Sequence, residues 1–165
     1  MKLSIRKMVP SDIGVLAGML GDLYDAHVAY PHYDADELEK LLFSLLSTMQ
    51  HSSVLNLIAF DGKKAAGFML GHLAKRESGT PHVVGVADEL YVMPEKRNGQ
   101  VGLRLIQEAT RFALAAGAQA IEVVATMERS ERWSKLGFKP YAQQLYMPIE
   151  EAKELFLDSK HAEAA

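Results

Sequence analysis

In LYVMPEKRNGQVGLRLI, residues 90–106, a strand passes through a short loop into a helix, and the rest of the architecture can be built on that order. Leu90, Tyr91 and Val92 end a run of strand formers, Pro94 closes it, and apolar residues return at helical spacing after Gly99. A helix that starts this way presents main-chain N–H groups without carbonyl partners at the positive end of its dipole. That arrangement suits a phosphate or diphosphate. Gly99 and Gly102 would let a ligand come close, and Lys96, Arg97 and Arg104 add mobile positive charge around the rim. An ordinary helix start with a solvated basic fringe would use the same residues, and a glycine pair alone does not separate the two.

Outward from this stretch, the segment 83–92 (VVGVADELYV) predicts a long strand. A helix follows from about Gly99 to Ala116, with Leu105, Ala109, Phe112 and Ala116 on its buried face and Gly117 as its stop. Residues 119–126 (QAIEVVAT) are the next strand. Strand, helix, strand demands a right-handed crossover and a parallel pair. Upstream, 53–60 (SVLNLIAF) and 65–73 (AAGFMLGHL) flank DGKK, where Asp61-Gly62 supplies the positive backbone angles of a tight antiparallel hairpin.

The N-terminal third adds a short half-buried strand over 2–8, with Leu3 and Ile5 on one side. A helix opened by Pro10 and Ser11 then carries Ile13, Leu16, Leu20, Leu23 and His27 on one face. A second helix begins at Asp34, has Glu37 placed for a capping box, and continues through Leu38, Leu41, Leu42, Leu45 and Met49. After residue 127 come a short helix (ERSERWSKL, 128–136), a last strand (FKPYAQQLYM, 138–147), a terminal helix (IEEAKELFLD, 149–158) and a frayed tail over 158–165. The chain of 165 residues, 48% hydrophobic and 24% charged, suits one α/β (α+β) domain over 1–165 with a mixed sheet.

Composition narrows the function. A formal charge of −3, from 18 Lys+Arg against 21 Asp+Glu, gives no basic field for nucleic acid and no polybasic membrane anchor. Without cysteine there is no disulfide, thiolate metal site or cysteine nucleophile, and a cytoplasmic location fits. The opening MKLSIRKMVPSD breaks every apolar run with a charge, so neither a signal peptide nor a membrane span is expected there.

The stretch 90–106 resembles the acyl-CoA-binding segment of the GNAT superfamily, the Gcn5-related N-acetyltransferases. In that segment a strand ending V-x-P-x-x-R leads into Arg/Gln-x-x-Gly-x-Gly/Ala. Arg97 and Gly102 match the first and last of these positions, and Gln100 replaces the middle glycine. A cradle made of main-chain N–H groups tolerates Gln100 if its backbone stays right-handed, and Gly99 is placed to supply slack. The element order is also the family's, and Trp133 stands four residues before the pair Gly137-Phe138, as an aromatic does there. The resemblance implies a mixed, mostly antiparallel central sheet flanked by helices. It implies acetyl-CoA as co-substrate, no metal, and direct transfer of the acetyl group to a primary amine of a small molecule or peptide; a homodimer stays open.

On that resemblance, Leu90, Tyr91 and Val92 would pair with the pantetheine arm through their main chains. Arg97, Asn98, Gly99, Gln100, Val101, Gly102, Leu103 and Arg104 would hold the diphosphate, and Thr126 and Trp133 would take the remaining coenzyme positions. An aliphatic ammonium of pKa ~10.4 costs about 4.6 kcal/mol to present deprotonated at pH 7, so a base is wanted. Asp88 and Glu89 are candidates on the strand beside the thioester, sent to opposite faces by alternation, Asp88 with Leu90 and Val92. Two solvated or paired carboxylates beside a loop are the alternative. His72 could also be a base, but a satisfied strand histidine is the commoner case. Trp133 stands where the family carries a tyrosine acid, and an indole N–H is no acid at neutral pH. Tyr141 and Tyr146 are therefore the candidate acids, or the thiolate leaves unassisted. Tyr24, Asp25, His27, Tyr30 and Tyr33 would wall the acceptor site, carboxylates and aromatics suiting a cationic amine. A polar interhelical turn with half-buried aromatics remains the other reading of that segment. Coenzyme binding without catalysis is the alternative for the whole chain.

Overall fold

The computed structural model describes residues 2–25, 34–76, 82–97, 99–125 and 127–140. They form two compact units, 1–124 and 125–165. The first carries β1 (Leu3–Lys7), a 3-10 turn (Pro10–Asp12), α1 (Ile13–Asp25), α2 (Ala35–Thr48), β2 (Leu57–Asp61), β3 (Lys64–Arg76), β4 (His82–Val92), a second 3-10 turn (Pro94–Lys96), α3 (Val101–Ala115) and β5 (Ala120–Val123). The second carries α4 (Met127–Lys135). The sheet runs β1-β2-β3-β4-β5, antiparallel throughout except for the parallel pair β4–β5 that the α3 crossover creates. The fold is thus mixed α/β with a mostly antiparallel sheet, as expected. Among the described residues no helix is long and apolar enough to cross a membrane.

Alternation divides the core between the two faces of the sheet. Ile58, Phe68, Leu70 and Tyr91 meet Leu16, Leu20 and Leu23 of α1, with Leu38, Leu41, Leu42 and Leu45 of α2 packed against that cluster. On the other face, α3 lays Val101, Leu105, Ile106, Ala109 and Ala113 onto the sheet. The predicted stripe held for Leu105 and Ala109. It failed at Phe112, half-exposed beneath Lys7 Nζ at 5.2 Å, and at Ala116, which is exposed. The helix turns Ala113 inward because it crosses Gly85 closely: a β-carbon on Gly85 would stand 2.9 Å from that of Ala113 and 2.8 Å from Ile121 Cδ1.

Other boundaries moved for local reasons. Asp61 is the last residue of β2, paired with Lys64, so the turn is Gly62-Lys63 and the positive φ of 63° belongs to Gly62. β2 starts at Leu57 rather than at Ser53, because Val54 makes only an isolated bridge to His72. The first helix is preceded by the 3-10 turn, where the buried Asp12 carboxylate accepts both Arg6 guanidinium nitrogens at 2.6 and 2.7 Å and the Val9 N–H at 2.8 Å. Arg6 chiefly, with help from Val9, holds the Asp12 carboxyl below its usual range against the opposing effect of burial. Phe138–Pro140, the start of the expected last strand, has no regular structure; the rest of that strand and the terminal helix lie outside the described residues.

Candidate active site

β4 has one extra residue relative to β3. Leu70 pairs with Glu89 and Gly71 with Ala87, leaving Asp88 as a bulge. β5 accompanies β4 only from Val84 to Ala87, and its last bond is Val124 N–H to Ala87 C=O at 3.0 Å. Beyond the bulge, β4 is therefore paired, among the described residues, on its β3 side alone. The Met93 N–H donates to Ala66 C=O across the Gly67–Val92 pair. By the alternation of an antiparallel ladder, Tyr91 then turns its main-chain groups to β3, while Leu90 and Val92 turn theirs to the open edge. Val92 C=O already accepts Arg97 Nε at 3.0 Å. The N–H and C=O of Leu90 and the N–H of Val92, without partners among the described residues, form an edge that an extended ligand can join as a strand would.

The open edge leads to the start of α3. Gln100 is its N-cap, with φ −91° and ψ −1°, in the right-handed region where any residue fits, and its side chain is exposed. The Gln100 side chain does not cap the helix, and no acidic residue stands in its first turn. The first main-chain bond is Arg104 N–H to Gln100 C=O at 2.9 Å. The N–H groups of Gln100, Val101, Gly102 and Leu103 have no partner among the described residues. Neither Gly99 nor Gly102 has a positive φ. A β-carbon on Gly102 would make only ordinary contact with Val92 Cγ2 at 3.6 Å and Leu90 Cδ2 at 3.9 Å, so nothing inside the fold demands glycine there. A group packed from outside, as compact and anionic as a phosphate, would.

The rim is less mobile than the sequence suggests. Lys96 Nζ is tied to Asp61 Oδ2 at 2.8 Å, which lifts the Lys96 ammonium and lowers the Asp61 carboxyl. Besides bonding Val92, Arg97 lays its guanidinium over the Tyr91 ring, 5.8 Å from the centroid. Only Arg104 is left exposed without a partner among the described residues. Tyr91, stacked on Phe68 at 5.7 Å, is buried, and its hydroxyl finds no partner among the described residues. Burial first, then the charge of Asp22, raises that phenol above its usual range.

The carboxylates correct the alternation argument. Leu90 and Val92 face Gly102 of α3, but Asp88 Oδ2 meets His72 Nδ1 at 2.8 Å. His72 shares its face with Phe68 and Leu70, the face of α1 and α2. Glu89, opposite Leu70, lies there as well. The bulge removes the expected separation and brings both carboxylates to one side. No sequence signal marks a bulge at Asp88.

With this geometry in place, residues 19–138 match the model of the acetyltransferase (GNAT) family. The chain belongs to that family. Its members' fold recurs at low identity in a transcriptional regulator from Bacillus halodurans C-125, with TM-score 0.74 and 15% identity over 88% of this chain and 99% of that one. It recurs in glucosamine-6-phosphate N-acetyltransferase from Arabidopsis thaliana, with TM-score 0.69 and 15% identity over 90% and 99%. AAC(6')-Iy, bound to the bisubstrate analog CoA-S-monomethyl-acetylneamine, gives TM-score 0.71 and 18% identity over 90% and 98%. Comparison with curated proteins finds no match in sequence.

Several positions read from the GNAT resemblance can be located. Trp133 packs edge-on against Phe138, centroids 5.3 Å apart and planes at 78°, with the Phe138 N–H donating to Trp133 C=O at 3.1 Å. Tyr24 is buried in the α1 core. Asp25 ends α1, its side chain outside the described residues. Asn98, Thr126, Tyr141, Tyr146, His27, Tyr30 and Tyr33 also lie outside them.

Proposed function

We propose that the chain is an acetyl-CoA-dependent N-acetyltransferase acting on a primary amine of a small molecule or peptide. The observation that carries this reading is the uncapped start of α3 lying next in chain to the unpaired edge of β4. The amides of Gln100, Val101, Gly102 and Leu103, with Arg104, are the groups that would hold a diphosphate. The main chains of Leu90 and Val92 would hold the extended arm, and an N–H of that edge suits a carbonyl on which negative charge develops. When bound, acetyl-CoA supplies the activated acyl group. The carboxylates on the α1/α2 face give a cationic amine an electrostatic reason to gather there. A cytoplasmic location fits this chemistry.

Coenzyme binding without turnover is the second reading, favoured by one observation: the residue at the family's acid position, Trp133, is engaged in packing on Phe138. Titration calorimetry with acetyl-CoA, followed by thiol release over polyamines, aminoglycosides, amino sugars and peptides, tests both. Saturable binding with release on adding an amine supports the enzyme. Binding with no release over the whole panel supports the second reading, and no binding defeats both.

A further inference from the structure

We propose that His72, positioned by Asp88, is the base that takes the proton from the acceptor amine; this rests on the acetyl-transfer reading above. A carboxylate only accepts hydrogen bonds, so the 2.8 Å contact to Asp88 Oδ2 is made by a proton on His72 Nδ1. In the neutral imidazole the lone pair is then on Nε2, for which no partner exists among the described residues. Both side chains are nearly half exposed, at 47% and 44%, so the pair is open to an incoming molecule. An imidazole is intrinsically a stronger base than a carboxylate by about two pK units, which suits it better to an ammonium donor.

The bulge makes this pair. In a regular strand Asp88 would share the α3 face with Leu90 and Val92; the extra residue re-aims it to the α1/α2 face, across from β3. The same insertion resets the alternation so that Leu90 and Val92 address the open edge. β3 and a ligand on that edge would flank β4 at about 4.8 Å on either side. His72 pairs with Val86, next to the bulge, so the amine it would serve is one held above β4 at Asp88, approached directly or through water. The ammonium proton passes to Nε2, and the freed nitrogen bonds to the acyl carbon. The carbon–sulfur bond breaks with its electron pair leaving on sulfur, and the nitrogen's surplus proton passes through solvent to that sulfur. Among the described residues, the titratable groups on this face and the segment beside it include Glu89 on β4, Asp22 and Tyr24 on α1, and His51, whose Nδ1 contacts Ser53 Oγ at 2.7 Å.

Two measurements test the assignment. Nitrogen-15 NMR of the ligand-free protein, with His72 identified by its loss in His72→Gln, should show the Nδ1–H tautomer, and Asp88→Asn should shift it toward Nε2–H. A wild-type Nε2–H tautomer overturns the proposal. With acetyl-CoA and whichever of spermidine, kanamycin or glucosamine 6-phosphate is acetylated best, His72→Gln should lower kcat/KM for the amine roughly 100- to 1,000-fold and abolish the ascending limb of the pH–rate profile. The KM for acetyl-CoA should stay unchanged. Asp88→Asn should cost about 10-fold and displace that limb, and His51→Gln should leave it in place. A loss under about threefold in His72→Gln, or a larger loss in Glu89→Gln, overturns the role. No turnover of any amine by the wild-type protein defeats the acetyl-transfer reading itself, and the role with it, whatever the tautomer.

Discussion

Helices α2 and α3 begin in opposite ways. At α2, Asp34 accepts the Glu37 N–H at 2.8 Å, Glu37 accepts the Asp34 N–H at 3.0 Å, and Asp36 adds a third carboxylate to the first turn. At α3 Gln100 gives no cap, the first turn holds no acid, and four N–H groups stand without partners among the described residues. A helix start leaves orphan donors either way. The chain satisfies them itself where α2 only has to pack against the core, and leaves them open where the next strand edge is open too. On the proposed reading, stability at α2 and coenzyme binding at α3 draw on the same kind of group at different helices.

Variants can break this contrast, the largest effect first. Gly102→Val should lower acetyl-CoA affinity about 100-fold in calorimetry, roughly 2.7 kcal/mol, and Gly102→Ala, whose β-carbon meets only ordinary contact, should leave thermal stability little changed. A small loss would mean the cradle lies elsewhere. Asp12→Asn, which loosens the anchor before α1, should cost about 2 kcal/mol in urea unfolding and leave coenzyme affinity alone. Its folded carboxyl is lowered, so its contribution is fully present above the ordinary carboxylate range, about pH 4–5, and is lost as pH falls toward the lowered folded value. The variant should therefore unfold with a flatter acid limb than the wild type.

Gln100→Asp would make the start of α3 resemble that of α2. It should weaken acetyl-CoA binding about 10-fold and raise stability by about 0.5 kcal/mol, since a carboxylate at the positive end of the helix suits the dipole and repels the diphosphate. Unchanged binding would show that these amides are not used. Asp34→Ala, the mirror experiment, should cost about 1 kcal/mol of stability with no effect on affinity.

The legible parts of this protein were those set by local chemistry. The capping box at Asp34 and Glu37 needs only two residues at fixed spacing and was readable outright; so were the Gly117 stop, with φ 80°, and the strand–loop–helix of 90–106. Where a neighbour intervened, reading failed by one residue: Ala113 replaced Phe112 on the buried face because Gly85 lies beneath it, and Lys96 gave up its mobility to Asp61. The bulge at Asp88 changed the candidate site most. Alternation predicted two faces for Asp88 and Glu89, and the register with β3 put both on one, beside a histidine sixteen residues away in sequence.

By itself, then, the sequence determined the order of elements from β1 to α4, the family and the strand–loop–helix of 90–106, because periodicity, turn residues and caps act over a few residues along the chain. Only the tertiary structure decided which main-chain groups beyond Ala87 lack partners among the described residues and which side chain Asp88 meets, because both depend on the register between strands, and one extra residue in a strand reverses every orientation that follows it.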